Sequence, residues 1–219
     1  MSHRPVRLSR LPHYTTLLVA LLLDIVLVPL LLAVGAGLPI ARTVMALVLA
    51  AAFVASGSSA VAGFGLVIAV AAMVASELLH NPTVASIEIV LRILFVGYVT
   101  YKLTRDIMRQ SDVVTLDTIA GAACIYMLLG VLWANSYVLL EHLKPGSFAI
   151  PDEWRLPGNE IAPALIYFSY STLTTVGYGD VRAAGPAAGG LAIVEAVVGQ
   201  LFLAITIARM VGKHLSRSS

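Results

Sequence analysis

Between two long apolar segments the chain reads Tyr170-Ser171-Thr172-Leu173-Thr174-Thr175-Val176-Gly177-Tyr178-Gly179-Asp180. Gly177 and Gly179 alternate with bulky residues, and glycine takes φ > 0 without steric cost. An extended chain of alternating handedness can aim successive carbonyl oxygens at one axis. The chemistry offered is therefore that of the backbone: a column of oxygens that can replace the water around a cation. No side-chain constellation competes with it. The five histidines, at 3, 13, 80, 142 and 214, lack metal-ligand spacing. The single cysteine, Cys124, excludes an intrachain disulfide and a thiolate metal site. With no nucleophile elbow or phosphate loop either, the chain is not expected to be an enzyme, and no cofactor is expected.

The elements that position this run must sit in lipid. Of 219 residues, 59% are hydrophobic and 12% charged, against about a quarter charged in soluble domains. So much apolar surface cannot be hidden in one core of this size. A span needs roughly 20 apolar residues to cross about 30 Å of hydrocarbon. The first is Tyr14 to Val34, too long for a signal-peptide core and read as a retained span. Ile40 to Leu79 holds two more, divided at Ser56-Gly57-Ser58-Ser59. A fourth runs from about Thr83 to Leu103 after His80-Asn81-Pro82, and a fifth from about Thr118 to Leu140 after a polar connector, Thr104 to Asp117. The last is about Ala187 to Val211. Between the last two spans, Ile161 to Leu173 is too short to cross, and the expectation for it is a half-length helix.

Charge placement orients the spans. Arg4, Arg7 and Arg10, then Lys102, Arg105 and Arg109, then Arg209, Lys213 and Arg217 form three clusters. With six spans and an inside N-terminus all nine fall on the cytoplasmic side. Only Arg42, Lys144, Arg155 and Arg182 lie outside, and Arg92 is within a span. Five or seven spans would put one cluster outside. The clusters suit anionic lipid headgroups better than nucleic acid.

In this context residues 174–180 resemble the potassium-channel superfamily, whose selectivity filter is the Thr-Val-Gly-Tyr-Gly signature. The resemblance is tight from about Leu116 to Gly212 and loose over the first four spans. It implies an all-α membrane protein of six transmembrane helices with a re-entrant pore helix and filter. Four copies would surround one pore in the cell membrane, with both termini cytoplasmic. Residues 1–110 form a four-span N-terminal membrane domain and 111–219 the pore domain. The carbonyls of Thr175, Val176, Gly177 and Tyr178, with the Thr175 hydroxyl, are the implied K⁺ ligands, Gly179 completing the filter and Val176 and Tyr178 packing behind it. Thr174, Asp180, Tyr167, Phe168 and Tyr170 are candidates to support it. Asn159 is expected to cap the half-length helix and Pro163 to sit in its first turn. Its C-terminal dipole would favour a cation at the pore. Some relatives carry an acid where Ser171 stands, so filter-based inactivation is not carried over.

Several residues admit two readings. Gly199, midway along the last span, is either a gating hinge or a site of close helix packing. Glu195 is expected to be a buried partner behind the filter rather than an ion ligand. Glu88 and Arg92, one turn apart, can pair, and Asp24 is expected to pair with Arg92 in preference to serving a proton-sensitive step. A voltage sensor carries several cations at every third position, whereas one deep arginine implies weak voltage dependence at most. Few residues follow the last span, so no cytoplasmic ligand-binding domain is expected. Passive K⁺ conduction is the favoured function. A non-conducting K⁺-binding sensor or scaffold, or a subunit of a K⁺ uptake transporter, are the alternatives.

Overall fold

The computed structural model describes residues 13–33, 38–57, 59–109, 115–156 and 160–215. Arg4, Arg7, Arg10, Arg217 and Asn159 lie outside them. Seven α-helices follow one another: α1 (His13–Ala33), α2 (Leu38–Ala55), α3 (Ala60–Leu79), α4 (Pro82–Arg109), α5 (Leu116–Leu143), α6 (Ala162–Leu173) and α7 (Pro186–Leu215). Two short strands, β1 (Phe148–Ala149) and β2 (Arg182–Ala183), flank α6. Five helices, α1, α3, α4, α5 and α7, are long and apolar enough to cross a membrane, and α2 is apolar over 43–55. The chain is a mostly helical, multi-pass membrane protein in composition and architecture.

Local chemistry sets the helix ends. Ser59 caps α3, its hydroxyl accepting from the Ala62 N–H at 3.3 Å. The α3–α4 turn is closed by His80 in the left-handed region (φ 48°), by Asn81, whose Oδ1 accepts from the Thr83 N–H at 2.8 Å, and by Pro82 as the first residue of α4. Thr115 and Thr118 form a reciprocal capping box at the start of α5. The polar connector expected from Thr104 begins later than its composition suggests. α4 continues helically to Arg109, with the Thr104 hydroxyl donating back to the Thr100 carbonyl at 2.8 Å.

Two apolar clusters hold the chain together. The first joins α1, α2 and α4 to α5 through residues such as Leu17, Leu21, Val48, Val99, Leu103 and Leu128. Cys124 lies within it, its thiol 3.1 Å from the Tyr14 carbonyl. The second surrounds α6 and contains Tyr137, Phe148, Leu165, Phe168, Val181 and Ala188. Much apolar surface stays outside both. On α7, Ile193, Val197, Leu201, Ile205 and Ile207 are each more than half exposed. Such a surface suits lipid or neighbouring protein rather than water.

Candidate functional site

The site is the loop 174–180 and the helix that delivers it. α6 has 12 residues, about 18 Å at roughly 1.5 Å per residue, too short to cross a bilayer. Its start differs from the expectation. Ile161 occupies the capping position without a side-chain bond, and the Glu160 carboxylate accepts from the Ala162 N–H at 3.0 Å. Pro163 sits in the first turn, where its missing N–H costs nothing.

Three side chains clamp α6 between α5 and α7. The Tyr170 hydroxyl donates to the Met127 carbonyl at 2.8 Å, and the Tyr126 hydroxyl to the Leu173 carbonyl at 2.9 Å. Ser169 Oγ lies 2.8 Å from the Gly130 carbonyl and 2.5 Å from Glu195 Oε1. Glu195, fully buried, also accepts from the Tyr137 hydroxyl. It therefore joins α5, α6 and α7 behind the loop, facing no opening. Glycines allow this close approach. A Cβ at Gly130 would meet the Tyr170 ring at 2.5 Å, and one at Gly199 the Leu173 carbonyl oxygen at 2.7 Å. Gly199 thus sits where α7 presses on the end of α6.

The loop leaves α6 through two turns, the Thr174 N–H bonding the Tyr170 carbonyl at 3.0 Å and the Thr175 N–H the Thr172 carbonyl at 2.9 Å. Handedness then alternates: φ is +61° at Thr175, +59° at Gly177 and +82° at Gly179, with Val176 and Tyr178 between them outside that region. For a β-branched threonine this conformation is strained. Ser171 holds the loop from below. Its carbonyl accepts from the Gly177 N–H at 3.1 Å, and its hydroxyl lies 3.4 Å from the Tyr178 nitrogen. Val176 and Tyr178 expose 52% and 72% of their surface on the single chain.

An aromatic stack braces the far side. Trp154 lies on Tyr167 with centroids 4.5 Å apart, and Tyr167 on Tyr178 at 6.1 Å and 8° between planes. The Tyr167 hydroxyl donates to Asp180 Oδ2 at 2.9 Å, and the Val181 N–H to Oδ1 at the same distance. Desolvation pulls the Asp180 carboxyl up, but hydrogen bonds from the Val181 N–H, the Tyr167 hydroxyl and its own backbone N–H outweigh it and hold it below the usual carboxylate range. Phe168 stands further back, edge-on to Tyr137 and Phe148. The chain on either side is closed by β1 and β2, which pair antiparallel with Phe148 opposite Ala183. Glu141 fixes the approach to β1 by accepting from the Gly146 and Phe148 N–H groups at 2.8 and 3.0 Å.

At the opposite end of the bundle Arg209 donates to the Met108 carbonyl at 2.8 Å, so the basic ends of α4 and α7 lie together. Arg92 pairs with Glu88 at 3.5 Å. Asp24 borders the same cavity as that pair, but hydrogen-bonds or ion-pairs with no described residue.

Sequence reasoning missed Tyr126, Gly130, Trp154 and Ser169. Ser169 alone carried a signal, as a polar residue on the otherwise apolar face of α6. Trp154 belongs to a loop whose approach to Tyr167 depends on the β1–β2 closure.

Comparison with known proteins points to the same stretch. The model of a family described as ion channel matches residues 159–213. An inward rectifier potassium channel, Kirbac3.1 of Paramagnetospirillum magnetotacticum, is 30% identical over 104 residues. That alignment covers 46% of this chain and 30% of the relative, so the chain spans under a third of that relative's length. No solved structure matches. The stretch matched by the ion-channel family model runs from the approach to α6 into α7 and includes the alternating loop and Glu195.

Proposed function

We propose that this protein is the subunit of a potassium-selective channel that conducts K⁺ passively, four copies surrounding one pore. The observation that carries the reading is the alternation of left-handed φ at Thr175, Gly177 and Gly179 in a loop hung from a half-length helix between two membrane-length ones. Such a backbone can turn the carbonyls of Thr175, Val176, Gly177 and Tyr178 toward one axis as substitutes for the hydration of K⁺. One strand supplies a quarter of each oxygen ring. The exposed faces of Val176, Tyr178 and α7 favour neighbouring copies as the missing contact.

In this reading six helices span the membrane, α1–α5 and α7, with both termini cytoplasmic. The joined basic ends of α4 and α7 support a common cytoplasmic side. The α6 dipole and the filter then belong to the outer half, and α7 lines the inner pore.

Reconstitution into liposomes tests this directly. K⁺ efflux from vesicles holding only this protein, with Na⁺ flux lower by at least about tenfold, is the expected result. Equal K⁺ and Na⁺ flux would leave a channel without selectivity. Absence of flux at every voltage and pH would favour a non-conducting K⁺-binding sensor. Accumulation against a gradient with an energy source would favour a transporter subunit.

A further inference from the structure

A cavity of about 640 Å³ lies beside the filter-bearing helix, walled by α1–α4, the end of α5 and the start of α6. That volume falls in the range of roughly 300–1,000 Å³ typical of small-molecule sites. Its walls are largely apolar, with Ile25, Val28, Met45, Met73, Ile89 and Ile166 among them.

Its charged groups are engaged, with one exception. Glu88 and Arg92 pair with each other, Glu141 accepts two backbone N–H groups, and Glu160 caps α6. Asp24 is 5% exposed, borders the cavity from the middle of α1, and has no hydrogen-bond or ion-pair partner among the described residues. A buried carboxylate without a partner is costly unless it takes up a proton or a counter-charge is supplied.

We propose that this cavity binds a small amphipathic monoammonium ligand, its ammonium on the Asp24 carboxylate and its hydrocarbon body against the apolar walls of α1, α2 and α3. An ammonium brings one charge and three donors, and a charge-assisted bond to Asp24 in an apolar enclosure is of the stronger kind. The Ser76 hydroxyl, also on the cavity wall, supplies a second acceptor. A hard divalent cation fits poorly, since Ca²⁺ takes about six to eight oxygen ligands and most of the acids here are already bonded. A lipid tail fills the volume but leaves Asp24 unpaired.

Binding does not require conduction, so this site stands or falls apart from the channel reading. The test is isothermal titration of the detergent-solubilised full chain with phenethylammonium and, separately, with its neutral counterpart phenethyl alcohol. Wild-type protein is expected to bind phenethylammonium at least about tenfold more tightly than the alcohol, and Asp24→Asn to remove that preference. The alcohol's affinity should stay within about twofold in Asp24→Asn, as expected for apolar contact alone. Met73→Trp, which narrows the cavity from the α3 wall, should weaken both. Equal affinity for the two probes in wild-type protein overturns the proposal and marks the space as one for lipid. Phenethylammonium binding that is as tight in Asp24→Asn as in wild type also overturns it, and locates the amine elsewhere.

Discussion

The Tyr167 hydroxyl bonds Asp180 at 2.9 Å while its ring lies nearly parallel to that of Tyr178, so one side chain of α6 holds both ends of the last turn of loop 174–180. Helix and loop are thereby coupled on the side away from Glu195. Behind the loop, Ser169 and Tyr137 meet Glu195 and do the same from within.

Tyr167→Phe keeps the stack and deletes the hydrogen bond. The expected phenotype is a loop that loses K⁺ conduction more readily when external K⁺ is lowered. Macroscopic currents during K⁺ withdrawal measure it. Unchanged currents would show that the bond does not support the conducting loop.

Asp180 gives a pH dependence of defined sign. Its carboxyl is held below the usual range, so its contribution is present above that range and is lost only as pH falls through the depressed folded value. Conduction should therefore persist as outer pH is lowered through about 4. In Tyr167→Phe the loss should move to higher pH, because one of the three lowering bonds is gone. Currents recorded over a series of outer pH values decide this.

Glu195→Ala would leave the Tyr137 and Ser169 hydroxyls facing an empty, buried space. Each unpaired group costs about 1–3 kcal/mol, so the assembly should melt well below wild type in detergent. Glu195→Gln, which keeps an acceptor and the volume, should lose much less. Equal melting of both variants and wild type would separate Glu195 from filter support.

Gly199→Ala places a methyl 2.7 Å from a backbone oxygen that cannot rotate away, an overpacking cost of about 1–3 kcal/mol. Close packing predicts a lower assembly melting temperature together with an altered filter. A hinge role predicts changed open probability with melting unchanged. Measuring both on the same preparation distinguishes the two.

Arg92 is one deep charge, already paired with Glu88. A charge crossing the whole field contributes about 2.3 kcal/mol per 100 mV, so the conductance–voltage relation should be shallow and nearly unchanged in Arg92→Gln. A steep relation that survives this substitution would require a sensor elsewhere.

The amino-acid sequence by itself determined the membrane solvent, the positions of the long helices and the loop that offers backbone oxygens. Hydropathy, caps such as Ser59 and Thr115, and the Gly177–Gly179 spacing are local properties, legible without any partner. Only the tertiary structure decided that the Glu160 carboxylate accepts from the Ala162 N–H at the start of α6, and that α4 runs on to Arg109. It also decided that Glu195 meets Tyr137 across 58 residues, that Gly199 faces Leu173, and that Asp24 borders a cavity. Those outcomes depend on how each helix is rotated and how closely its axis approaches its neighbours. Apolar helices that are hydrophobic on nearly every face carry no periodic signal from which that rotation can be read.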